Sequence, residues 1–246
     1  MWLPFRKSRR RRRSKLARGM RWVLRIGLLL LILDIAYLMA IWPDWQQFRQ
    51  GHPVKSRFIE RYEQQRQENK KLPALHWQPV PLSWIPHHVQ RAVLVAEDAR
   101  FYQHSGVDLI AIKDAMDYNM HRGRLVYGAS TLSQQTVKNM FFSASRNPLR
   151  KWHELVLTLA MEHQVSKKRI LATYLNVAEF GQGIYGVEAA AKHYWGVEIY
   201  RLNRWQAAQL AATLPSPLWH NPAHPSKQFL KRARRIFRRL HNSPGP

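Results

Sequence analysis

Residues 22–42 read WVLRIGLLLLILDIAYLMAIW, and a segment this apolar needs either a protein core or a lipid core around it. As a helix it spans roughly 31 Å, the thickness of a bilayer's hydrocarbon layer. Trp22 and Trp42 stand where an interfacial aromatic belt would be, and Arg25 can snorkel toward the basic side. Asp34 works against this, because an acid near a membrane-helix centre costs about 2.5–3.5 kcal/mol on insertion scales. The uncharged run from Ile26 through Leu33 is short enough for a cleaved signal peptide, yet no small-x-small cleavage site follows and the preceding tail is long. The pattern therefore predicts a single-pass anchor over a cleaved signal or a twin-arginine export signal. The positive-inside rule then puts residues 1–21 in the cytoplasm as a basic tail, and everything after Trp42 across the membrane.

Charge is concentrated at the two ends. The chain carries 40 Lys and Arg against 15 Asp and Glu, but eleven of the basic residues fall in 1–25 and seven in 227–239, where no acid occurs. A run such as Arg9 to Arg13 suits nucleic acid and anionic lipid equally, and the apolar span behind it selects lipid. No cysteine is present, which excludes a disulfide framework, a thiol nucleophile and a thiolate-bound metal.

Past the anchor, residues 43–79 are polar, then rich in proline (Pro73, Pro79), and read as a solvated stalk or linker. From Pro86 onward apolar residues recur at helical spacing, predicting helices over 86–101, 108–121, 131–141, 149–164, 167–176, 184–194, 203–213 and 227–241. Glycines and prolines punctuate them, and Thr131-x-x-Gln134 and Asn203-x-x-Gln206 have the form of capping boxes. The reading is an all-α domain over 80–217, followed by a basic C-terminal helix or tail over 218–246 with a solvated face.

Four segments carry candidate chemistry. Residues 92–96 are apolar on every face and run straight into Glu97-Asp98; a carboxylate leaving such a segment is desolvated beside a second acid, and both effects raise its pKa toward base strength. The alternative is two acids meeting solvent at a helix end, with His104 packing nearby or orienting one of them. Ser130, Thr131, Gln134, Gln135, Lys138 and Asn139 crowd one helix start with donors, suited to sugar or phosphate oxygens or else to solvent. In 149–168, Trp152, Leu155, Val156, Leu159 and Ala160 form the predicted core stripe, with Glu154 opposite and Arg150 one turn before it, as in a surface ion pair. Gly181, Gly183 and Gly186 follow a helix and not a strand, so they fail as a nucleotide loop and predict a tight turn instead.

Taken together, the motifs resemble those of the biosynthetic peptidoglycan glycosyltransferases. These are Glu97-Asp98-x-x-Phe101-x-x-His104-x-Gly106-x-Asp108, Gly128-x-Ser130-Thr131-x-x-Gln134-Gln135-x-x-Lys138-Asn139 and Arg150-Lys151-x-x-Glu154. Ser166-Lys167-x-x-Ile170-Leu171-x-x-Tyr174-Leu175-Asn176 and Phe180-Gly181-x-Gly183-x-x-Gly186 continue the match over about residues 80–217. Ala172 departs from it, since members often have Glu after the Ile-Leu pair. The resemblance is to the monofunctional form and implies a lysozyme-like helical domain with a membrane-facing jaw, placed here at Leu109 to Tyr127. It implies an enzyme of the bacterial inner membrane, with its catalytic domain outside the cytoplasm, that polymerises lipid II onto a growing glycan chain. Glu97 matches the family's base and Glu154 its second carboxylate. Lys138, Arg150 and Lys151 become candidates for neutralising the diphosphate, with Asp98, Ser130, Thr131, Gln134, Gln135 and Asn139 as substrate-binding residues. A divalent cation (Mg or Mn) at the diphosphate and other cell-wall synthesis proteins are further implied, and an organic cofactor is not. Two rivals remain: a lysozyme-like lytic enzyme, and a membrane-tethered basic protein that binds anionic polymers.

Overall fold

The structure is a computed structural model that describes residues 7–50, 53–123, 128–143 and 147–242. It divides into two units, Met1–Pro43 and Asp44–Pro246. The first is a single helix, α1 (Lys7–Ala40), whose segment Ala17–Ala40 has a mean hydropathy of 2.2 and is long and apolar enough to cross a membrane. Its apolar side chains face outward all round, from Val23 and Leu24 to Ile35. At its basic end the Arg25 guanidinium lies 5.4 Å from the centre of the Trp22 ring.

The second unit is helical: α2 (Trp45–Gln50), α3 (Arg57–Glu68), α4 (His87–Glu97), α5 (Leu109–Arg122), α6 (Leu132–Phe141), α7 (Pro148–Gln164), α8 (Lys167–Val177), α9 (Val187–Trp195), α10 (Arg204–Thr213) and α11 (Lys227–Asn242). Helix α6 is held between α7 and α8, while α10 packs on both α4 and α11. Both sequence-predicted capping boxes form, Thr131 with Gln134 and Asn203 with Gln206. They fix where α6 and α10 begin by pairing backbone donors that would otherwise be orphaned.

Four expectations need correction. Residues 43–79 are not a solvated stalk: Trp45, Phe48, Ile59 and Tyr62 are buried, and α3 packs on α6. The amphipathic face of α3 was masked by its many Gln, Glu and Arg residues. The second correction is a small sheet of order β1-β3-β2, built from β1 (His76–Trp77), β2 (Glu179–Gly181) and β3 (Ile184–Tyr185). The helix expected from 184 consequently starts at Val187. Gly186 makes the turn with φ +83°, and a Cβ there would lie 2.8 Å from the Asn176 carbonyl oxygen. Third, α7 buries His153, Glu154, Leu157, Thr158 and Met161, while Trp152 and Leu159 of the predicted core stripe are about half exposed. Periodicity identifies the apolar face of a helix but not what that face meets. Fourth, α11 is part of the unit and not a tail beyond it: Phe229, Ala233, Ile236 and Leu240 form a buried stripe, while Lys231, Arg234, Arg235 and Arg238 keep the expected solvated basic face.

Candidate active site

The buried face of α4 (Val89, Ala92, Val93) drives the helix into the unit and delivers Glu97 as its last residue. Glu97 is only 12% exposed and lies on the wall of a cleft of about 530 Å³. That cleft runs between the end of α4, the α5 face carrying Ala111, Asp114 and Tyr118, and residues 128–131. One carboxylate oxygen of Glu97 accepts from Gln135 Nε2 at 3.0 Å and the other from Arg232 Nη2 at 2.8 Å. Burial pushes its pKa up, and the neighbouring Asp98 charge adds to this; the Gln135 and Arg232 hydrogen bonds and the Arg232 charge act in the opposite sense. The result is a carboxylate that is dry yet still oriented by two donors.

The orientation is itself held from behind. The hydroxyl of Tyr174, a fully buried side chain, donates to Gln135 Oε1 at 3.0 Å. This fixes the amide so that its NH2 faces Glu97. Burial raises the Tyr174 pKa well above the ordinary phenol value, so the hydroxyl keeps its proton.

Asp98 is placed differently from Glu97. It is buried, accepts from the Leu132 backbone N–H at 2.9 Å, and meets His104 Nε2 at 3.0 and 3.1 Å. The Gly106 N–H donates to His104 Nδ1, so the imidazole carries its proton on Nε2 and donates it to Asp98. Asp98 thereby braces the start of α6. Thr131 and Gln134 are likewise buried in the capping box, and the Thr131 hydroxyl donates to the Gly106 carbonyl at 2.7 Å. Ser130 is exposed on the cleft wall, and Asn139 is half-buried on α6 with no side-chain hydrogen bond among the described residues.

A second cluster gathers around Glu154, which is 2% exposed and therefore no surface pair. It is hydrogen-bonded to Arg150, one turn before it, and to Lys151 Nζ at 3.3 Å. Lys151 also reaches Ser130 Oγ at 3.4 Å, which joins this cluster to the cleft. Lys138 faces the same group. Burial lowers its pKa and the charges of Arg150 and Lys151 lower it further, while Glu154 and Glu179 oppose them. The arrangement is three cations around one buried carboxylate.

Glu154 is not a divalent-cation site, because its oxygens are already taken by Arg150 and Lys151. Asp98, His104 and Asp108 do bring ligand-type atoms within 4.8 Å of one another. However, Asp108 holds Arg100 through two bonds, at 2.8 and 3.0 Å, and caps α5 through Ala111 N–H, while Asp98 is engaged as above. Neither donor set, engaged in this way, fits the divalent cation that the sequence resemblance implied.

Sequence reasoning missed Arg232. The signal was present: Phe229, Ala233, Ile236 and Leu240 recur at i, i+4, i+7 and i+11, so α11 docks, and Arg232 flanks the docking stripe.

Comparison with known proteins gives the family of the chain. The family model described as Transglycosylase matches residues 64–241. The chain is 39% identical to a biosynthetic peptidoglycan transglycosylase of Nitrosospira multiformis over 227 residues, covering 92% of this chain and 98% of the relative. Proteins of the same description from Thiobacillus denitrificans (42% over 180 residues, 73% of this chain and 78% of the relative) and Aeromonas hydrophila (49% over 161 residues, 65% and 68%) are also similar. With the family match spanning most of a lysozyme-like helical unit, the chain belongs to the transglycosylase family.

Proposed function

We propose that this enzyme polymerises lipid II into β-1,4-linked glycan strands, with Glu97 as the general base. The observation that carries the reading is one carboxylate held dry on a cleft wall by Gln135 and Arg232, with a cluster of three cations joined to the same cleft through Ser130. The 4-hydroxyl of the incoming disaccharide gives its proton to Glu97 as its oxygen bonds to the anomeric carbon of the growing chain. The bond from that carbon to undecaprenyl diphosphate breaks, its electron pair stays on the diphosphate oxygen, and the α linkage inverts to β. A positioned base contributes about 10²–10⁴-fold to such a step. The charge that develops on the leaving diphosphate is met by Lys138, Arg150 and Lys151, whose mutual repulsion Glu154 relieves. A hydrolase that cleaves glycan has no comparable use for three converging cations.

The anchor fits a substrate that never leaves the bilayer, because tethering raises the effective concentration of enzyme and lipid in one plane. We place residues 1–21 in the cytoplasm and the catalytic unit on the outer side of the inner membrane. Leu109, Ile110, Met116 and Met120 are well exposed on α5, which supports that helix as the lipid-facing jaw; Leu125 and Val126, also assigned to it from sequence, lie outside the described residues. The reading is tested by incubating the full-length protein with lipid II and separating the products on a gel. Glycan ladders are expected from the wild type. Release of fragments from purified sacculi, with no ladder from lipid II, would replace this reading with the lytic one.

A further inference from the structure

The proposed reaction brings two diphosphates to the enzyme, and the cations around Glu154 account for one of them. The leaving diphosphate sits at the reacting carbon. The other belongs to the acceptor, where it stays attached to the reducing end, one disaccharide away from the hydroxyl that Glu97 deprotonates. A second anion site is therefore required at that remove from Glu97.

Helix α11 supplies a candidate at that distance. Arg232 contacts Glu97, and Arg239 lies seven residues further on, which is about 10 Å along a helix axis, on the scale of a disaccharide. The two positions share a helix face at i, i+7 spacing. Arg239 lines the same cleft as Glu97, and among the described residues it makes no hydrogen bond or ion pair. The nearby acids are otherwise engaged: Asp108 holds Arg100 bidentately, Asp98 is bound by His104 and the Leu132 N–H, and Asp114 lies 3.9 Å from Arg100. A guanidinium is the side chain best matched to phosphate oxygens, since its planar donors bind them in pairs.

We propose that Arg239 binds the diphosphate of the acceptor substrate. The proposal rests on the function given above. It is tested with full-length enzyme in neutral detergent, using a donor-only lipid II whose 4-hydroxyl is capped by galactose. Two acceptors are compared, a lipid-linked disaccharide whose anomeric oxygen is replaced by a methylene carbon bonded to the diphosphonate, so that no C1–O bond can break, and the same disaccharide with no diphosphate. The wild type prefers the diphosphonate acceptor. Arg239→Gln lowers that kcat/KM preference about tenfold, the loss expected of one charge-assisted contact, with the donor KM unchanged. Arg239→Lys restores part of it, and Arg234→Gln, which removes the same charge from another face of α11, leaves it intact. An unchanged preference in Arg239→Gln, or a donor KM that rises equally, overturns the assignment. So does an effect that disappears in neutral detergent and returns only on phosphatidylglycerol vesicles, which would make bilayer headgroups the ligand. A wild type that couples neither acceptor would instead overturn the polymerase reading itself.

Discussion

Replacing Arg232 with Ala isolates the electrostatic setting of Glu97. The Arg232 guanidinium stands 2.8 Å from one carboxylate oxygen, and with its side chain 37% exposed it acts partly through solvent. An opposite charge at such range lowers a carboxyl pKa, and the partial exposure of this pair weakens that effect without cancelling it. Removing it leaves burial and Asp98 raising the pKa, against Gln135 alone. A base works only when ionised, so activity falls as the pH drops through the Glu97 pKa. The acidic limb of the kcat/KM profile, which reports the free enzyme, should therefore move to higher pH in Arg232→Ala. The plateau above the limb should stay within about tenfold of the wild type, since the base itself is intact. The assay is the initial rate of lipid II polymerisation between pH 5 and 9. An acidic limb that stays in place, or a uniform loss at every pH, refutes the claim that Arg232 sets the basicity of Glu97.

Other perturbations probe the supporting structure. Glu154→Gln takes the buried counter-charge away from Arg150, whose side chain is 18% exposed, and from the half-exposed Lys151; breaking a buried pair by removing one partner costs about 3 kcal/mol, or a fall in Tm of roughly 6–12 °C. Lipid II polymerisation should fall severely in the same variant, and thermal melting of the full chain together with the gel assay checks both. Glu179 has its pKa raised to about 7, by burial first and against the Tyr185 hydrogen bond and the Lys138 charge. The unfolded chain ionises at its ordinary value of 4.5 while the folded protein holds the proton, so this residue lowers stability progressively as pH rises from about 4.5 to 7, by at most about 3 kcal/mol. Glu179→Gln should accordingly raise Tm more at pH 8 than at pH 5. Gly186→Ala forces a Cβ to within 2.8 Å of the Asn176 carbonyl at positive φ and should destabilise the unit by about 1–3 kcal/mol, read by denaturant unfolding.

Much of the helical order was legible because it rests on local chemistry. Thr131 and Asn203 announced the starts of α6 and α10, and Gly196 falls at the end of α9, where it takes the left-handed conformation. The base candidate was legible for a similar reason, as an all-apolar run ending in Glu97. What sequence reading lost was long-range. Gln135 and Arg232 lie 38 and 135 residues from the carboxylate they hold, and no periodicity links them. Glu154 showed the limit most clearly: its spacing from Arg150 is that of an ordinary surface pair, and only burial at 2% exposure separates the two cases. The strands at 76–77 and 184–185 were hidden because two-residue strands carry no alternation, and their pairing depends on a Tyr62 and Ala74 surface that leaves room only for Gly183.

The most direct trial of the account is the rate at which Glu97→Gln polymerises lipid II. The substitution keeps the side chain's size and one of its two accepted hydrogen bonds while removing its ability to take a proton. The account predicts folded protein, with an unchanged circular dichroism spectrum, whose rate is lower than the wild type's by about 10²–10⁴-fold across the pH range. A variant that still builds glycan strands within a few-fold of the wild-type rate would contradict it.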